Sequence, residues 1–105
     1  SLAKWDWEIK TGKVTFSEKW AERLGYKLEE LDQNLKTFTD RIHPDDVKMV
    51  SEALDKHLKD QTPYYEAKFR MIDRFGKSQW VLDRGKVVQR DQDGAAIRAT
   101  GLNLD

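Results

Sequence analysis

The sequence predicts an α+β fold: two short strands, a helical middle and three longer strands, forming one antiparallel sheet with the helices on one face. Three observations carry that prediction. Apolar and polar residues alternate through Trp5, Asp6, Trp7, Glu8 and Ile9 and again from Tyr65 to Met71, the period of a half-buried strand. In the middle of the chain Val47, Val50, Leu54 and Leu58 recur at helical spacing. Asp93-Gly94, between two β-like stretches, is a hairpin signal.

The elements follow in order. The strand at Trp5 to Ile9 turns at Thr11-Gly12-Lys13, and Val14 and Phe16 continue as a second strand. Ser17 can cap a short helix that runs through Leu24 and stops at Gly25. Leu28, Leu31, Leu35 and Phe38 suggest one or two brief helical turns. The longer helix is expected from Pro44 to about Lys59. Pro44 would stand at the first helical position, His43 at the cap, and Asp45 and Asp46 in the first turn at the positive end of the dipole. Three strands close the chain, at about Tyr64 to Asp73, Ser78 to Arg90 and Ala96 to Leu104, joined at Phe75-Gly76 and Asp93-Gly94.

Composition narrows the function classes. The 105 residues make one domain, and 38% hydrophobic against 36% charged residues leaves a modest core under a heavily charged surface. Lys plus Arg equals Asp plus Glu at 19 each, which argues against a general binder of nucleic acid or anionic membranes. No apolar run approaches the ~18 residues of a membrane span, and the N-terminus lacks a signal peptide's apolar stretch. The absence of cysteine excludes disulfides, thiolate metal sites and cysteine nucleophiles. A cytoplasmic domain is expected, from a parent protein that can itself be membrane-anchored. The chain starts without methionine and ends abruptly at Asp105, which suggests a piece of a longer protein.

Read in order, Trp5-Asp6-Trp7, Gly12, Phe16-Ser17, Trp20, Leu24-Gly25-Tyr26, Ile42-His43-Pro44-Asp45-Asp46, Phe69-Arg70, Gly76, Trp80, Gly85, Asp93-Gly94, Gly101 and Asp105 form a set of landmarks. The ordered set resembles the PAS sensory domains, in the subgroup whose central helix opens with His-Pro-Asp-Asp, and the likeness covers essentially the whole chain. It implies a single PAS domain over residues 1–105, including its C-terminal PAC-type strands, with a five-stranded antiparallel sheet, short helices and one longer helix on one face. One departure is Phe75-Gly76, where the family more often has Asp-Gly; the turn type there stays open. The resemblance also implies a sensor and relay module attached to an output domain such as a histidine kinase, a GGDEF-type diguanylate cyclase, an EAL-type phosphodiesterase or a chemoreceptor.

The strand faces bear directly on function. Strict alternation puts Tyr65, Ala67, Phe69 and Met71 toward the helices. The resemblance implies the reverse for much of the sheet, with Lys68, Val81 and Asn103 inward and Trp80 outward, and that expectation is adopted. The pocket residues it implies are Trp7, Phe38, Val50, Leu54, Arg70, Val81, Asp83 and Asn103. Phe69, Trp80, Leu102 and Leu104 would then form an exposed apolar patch beside Asp105, a dimer contact and signal exit.

Catalytic chemistry has few candidates. His43 and His57 would lie about 20 Å apart along a helix and cannot share a metal. His57 is the one residue placed to ligate a haem iron, but a partly exposed histidine on a helix face is the preferred reading. Asp45 and Asp46 resemble a metal pair, yet the helix dipole accounts for them. A cysteinyl-flavin adduct is excluded for want of a cysteine, while non-covalent flavin stays open. No Gly-rich phosphate loop or nucleophile elbow is present. The expected function is therefore a sensory module, not an enzyme by itself, that binds a small ligand, forms a homodimer, or does both. A ligand-free dimerisation module is the alternative. A small α+β cone enzyme with Asp83 as acid/base and Arg70 as anion clamp is the third reading.

Overall fold

In the computed structural model, which describes residues 2–105, strand β1 (Leu2–Glu8) turns back into β2 (Lys13–Phe16). Helix α1 (Glu18–Arg23), a 3-10 turn (Leu28–Glu30), α2 (Leu35–Thr39) and α3 (Val47–Leu58) come next, and β3 (Tyr65–Ile72), β4 (Ser78–Arg90) and β5 (Ala96–Leu104) complete the chain. The sheet order is β2-β1-β5-β4-β3, antiparallel at every pairing. The last strand is thus the central one, hydrogen-bonded to β1 on one side and β4 on the other.

Local sequence explains the ends of the elements. The Ser17 hydroxyl accepts the Trp20 N–H at 3.2 Å and the Asn34 carboxamide oxygen accepts the Thr37 N–H at 2.9 Å, each satisfying an orphan donor of a first turn. Helix α3 ends with Asp60 N–H on the His57 carbonyl and Gln61 N–H on the Lys56 carbonyl, and Asp60 takes φ of 63°. The two late hairpins use one device. Asp73 accepts from the N–H groups of Phe75 and Lys77, and Asp91 does the same for Asp93 and Ala95. In each loop a glycine three residues on, Gly76 or Gly94, takes positive φ, which settles the geometry at Phe75-Gly76.

The central segment does more than start a helix. Helical geometry begins at Val47, not at Pro44, because Asp46 N–H closes a tight turn on the His43 carbonyl at 2.8 Å. The His43 ring accepts the Asp45 N–H at 3.1 Å, capping that turn. The Asp46 carboxylate makes no cap bond to α3 and reaches instead to the edge strand β3. His43 N–H bonds the Arg70 carbonyl, and Ile72 N–H bonds the Arg41 carbonyl at 2.7 Å. Residues 41–46 therefore cover the open edge of the sheet, where unpaired backbone groups would otherwise invite another strand.

Register overturns part of the expected face assignment. Phe69 stands directly opposite Val81, and directly opposed residues of an antiparallel pair share a face. An inward Val81 thus requires an inward Phe69, which is fully buried, and turns Lys68 outward beside Leu82. The alternation of β3 holds: Tyr65, Ala67, Phe69 and Met71 are all core. Trp80, Leu102 and Leu104 lie on the outer face, Trp80 at 57% exposure, but Phe69 is not with them. Leu2 and Leu82, which sequence reasoning omitted, flank Leu104 on its two sides in one cross-strand row.

Candidate functional site

Between the sheet and α1, α2 and α3 lies a cavity of about 30 Å³ lined by Trp5, Trp7, Val14, Phe16, Trp20, Leu35, Phe38, Leu54, Tyr65, Asp83 and Asn103. Its walls are mostly aromatic; Phe16 and Trp20 stack at 4.0 Å between centroids. The indole of Trp5 lies across the inner face of the sheet. Trp5, Gly101, Gly85 and Tyr65 are register partners in sequence across β1, β5, β4 and β3. A Cβ on Gly85 would fall 2.4 Å from Trp5 Cη2, and one on Gly101 2.2 Å from Trp5 Cζ2. The two glycines leave room for this ring and for the neighbouring backbone carbonyls of Thr100 and Arg84.

Trp5 crosses the glycines and ends on a carboxylate. Its Nε1–H donates to Asp83 Oδ1 at 2.9 Å, the Tyr65 hydroxyl donates to Oδ2 at 3.2 Å, and Asn103 Nδ2 approaches Oδ1 at 3.4 Å. Asp83 is 3% exposed. Burial pushes its pKa up to about 6, against the three hydrogen bonds, which favour the ionised form. Burial, and then the adjacent Asp83 charge, raises the Tyr65 phenol far above its ordinary value. The Trp7 indole N–H, also in the cavity wall, is buried with no hydrogen-bond partner among the described residues.

The polar chain runs on toward the C-terminus. Arg23, on α1, donates Nη1–H to Asn103 Oδ1 and Nη2–H to the Asn103 carbonyl, both at 2.9 Å, and its Nε lies 3.9 Å from Asp105. Asn103 thereby joins the cavity carboxylate to a guanidinium that grips the end of β5. Sequence reasoning missed Arg23, and only its bonds to Asn103 reveal it.

Of the expected pocket residues, Trp7, Phe38, Leu54, Asp83 and Asn103 line this cavity, with Trp5, Phe16, Trp20 and Tyr65 beside them unforeseen. Val50 and Val81 are buried in the core outside the lining. Arg70 is not there at all. It projects to the other side of β3, where its Nε and Nη2 meet Asp46 at 3.0 and 2.8 Å and its guanidinium lies 5.3 Å from the Trp80 ring centroid. Asp83 and Arg70 therefore cannot act together as acid/base and anion clamp.

His57 is buried, not partly exposed, and both ring nitrogens are engaged. Nε2 accepts the Val87 N–H at 3.0 Å and Nδ1–H donates to the Thr62 carbonyl at 3.0 Å. Val87 lies beyond the start of β3, so its N–H faces no strand on that side, and the imidazole replaces the missing partner. This histidine does not fit a haem ligand's role. A cavity of about 30 Å³ does not fit haem or flavin as it stands, since drug-sized sites need roughly 300–1,000 Å³.

Comparison with known proteins agrees with this architecture. The profile of the family described as PAS fold matches residues 13–103. A sensory box histidine kinase/response regulator structure from Burkholderia thailandensis E264 is 32% identical, with a TM-score of 0.85 over 99% of this chain and 76% of that one. The N-terminal domain of a diguanylate cyclase with PAS/PAC sensor from Marinobacter aquaeolei superposes at a TM-score of 0.86 with 23% identity, covering 100% of this chain and 94% of that one. A methyl sulfide methyltransferase-associated sensor of Methanosarcina acetivorans is 27% identical over 100 residues; the match takes in 94% of this chain and only 10% of that protein. The chain belongs to the PAS family, and its class is that of a sensory signalling module. Among the described residues no helix is long and apolar enough to cross a membrane.

Proposed function

We propose that this domain senses a small molecule in the aromatic cavity and relays its occupancy through β5 to an output domain of the same chain. The observation that carries the reading is the polar chain Tyr65–Asp83–Asn103–Arg23–Asp105, hydrogen-bonded as far as Arg23 and closed by a 3.9 Å ion pair, which begins in the cavity wall and ends just past the central strand β5. A ligand that alters the contacts of Asp83 shifts Asn103, and Arg23 passes the shift to Asp105; the ligand acts by its different affinity for the two arrangements. The outer face beside that exit carries Leu2, Trp80, Leu82, Leu102 and Leu104. In the parent protein this surface contacts a second copy or a flanking helix, so one face serves as dimer contact and signal exit. The parent's output activity is of the histidine kinase, cyclic-di-GMP or chemoreceptor kind, and the domain is cytoplasmic.

The test is made in the parent protein. Asn103→Leu, with circular dichroism showing an intact fold, should lock the output at one level. Output that still responds normally would remove Asn103 from the relay.

A further inference from the structure

Asp83 is a buried carboxylate that meets no cation among the described residues. Its contacts are the neutral donors of Trp5, Tyr65 and Asn103, and the nearest guanidinium in the chain of bonds, Arg23, is held one residue away on Asn103. Trp5 and Tyr65 touch it, and Trp7, Phe16, Trp20 and Phe38 line the same cavity. Ring faces attract cations through their quadrupole, and desolvation strengthens that attraction. An uncompensated carboxylate beside such a wall selects against anions and favours a positive charge with a small apolar body.

Size sets the second limit. The cavity measures about 30 Å³, and roughly 10–15 Å³ of such space admits one water, so there is room for about two non-hydrogen atoms. We infer that the cavity is a site for a small organic ammonium ion of the size of methylammonium, its N–H groups on the Asp83 carboxylate and its methyl group against the aromatic wall. This deepens the proposed sensing role and rests on the cavity being the sensing pocket. The binding is weak by nature: a ligand of two atoms reaches millimolar affinity at best. Such an affinity suits an abundant metabolic amine rather than a trace signal.

The experiment is a nitrogen–proton NMR titration of the domain at pH 7.5. Methylammonium chloride, methanol as a neutral probe of the same atom count, and sodium formate as an anion are compared at ionic strength matched with potassium chloride. The indole N–H resonances of Trp5 and Trp7 should shift with methylammonium and saturate in the millimolar to tens of millimolar range. Methanol and formate should give at least tenfold weaker responses, and Asp83→Asn should abolish saturation by methylammonium. The comparison of the three probes needs no variant and stands even if Asp83→Asn fails to fold. Equal responses to methanol, or saturation by methylammonium in a folded Asp83→Asn domain, would overturn the ammonium assignment and leave the pocket reading in place. No saturable response to any of the three probes would overturn the assignment, and the sensing-pocket reading with it for ligands of this size.

Discussion

Asp46 and Arg70 meet through three N–H groups of one residue: the Asp46 carboxylate accepts the Arg70 backbone N–H at 2.8 Å and its guanidinium Nε and Nη2 at 3.0 and 2.8 Å. The pair joins the turn before α3 to the edge strand β3, and leaves the guanidinium against Trp80 on the outer face. Side-chain hydrogen bonding from Arg70, then the backbone bond, lowers the Asp46 pKa to about 2.

A depressed carboxylate pKa stabilises the fold above the unfolded value near 4, and that contribution disappears as pH falls toward 2. Asp46→Ala and Arg70→Ala should therefore both lower the melting temperature at pH 7, and each difference from the parent sequence should narrow between about pH 4 and pH 2. Asp45→Ala, at an exposed position, should do little. Thermal melts across pH 2–7 check all three. A larger loss from Asp45→Ala would return the weight to the helix-dipole reading.

Asp83 has the opposite sign. Its raised pKa means the native state holds a proton between about pH 4 and 6 that the unfolded chain has lost, so stability falls as pH rises through that window. Two pKa units correspond to on the order of 2–3 kcal/mol. Asp83→Asn should lack this decline, and chemical denaturation at pH 4.5 and 7 measures it.

Replacing Gly101 or Gly85 with alanine should destabilise by about 1–3 kcal/mol or more, because a Cβ there strikes both the Trp5 ring and a backbone carbonyl, that of Arg84 or of Thr100. Pairing Gly101→Ala with Trp5→Leu should recover part of that loss. A wholly additive double variant would show that the ring is not what the glycine accommodates.

His57→Ala should cost about 2 kcal/mol, leaving the Val87 N–H without its acceptor. His57→Gln, which retains an acceptor, should cost less. Urea denaturation separates the two; equal losses would make the ring's bulk the relevant property.

The elements were legible in the sequence because their signals are local. Ser17 and Asn34 cap by their own side chains, and Asp73 and Asp91 build hairpins within five residues of themselves. What required three dimensions was partnership. Alternation along β3 already points Phe69 inward; the family likeness points it outward, and the pairing with Val81, a register that no pattern of single residues states, decides for alternation. The same holds for Arg23, 80 positions from its partner Asn103, and for Asp46, whose place at a helix start suggests a partner for the helix dipole while its carboxylate serves a strand. Family likeness places Trp7, Asp83 and Asn103 in the pocket, but the span of Trp5 over two glycines depends on a register that the sequence does not state.

The most direct measurement of the relay is an NMR pH titration of the domain from pH 4 to 7.5, following the Trp5 indole N–H together with the backbone amides of Asn103, Leu104 and Asp105. The account predicts one shared transition with a midpoint near 6, present at the indole and at the end of β5, and absent at both in Asp83→Asn. A transition confined to Trp5, with the amides of residues 103–105 unmoved, would contradict the coupling of cavity to chain exit.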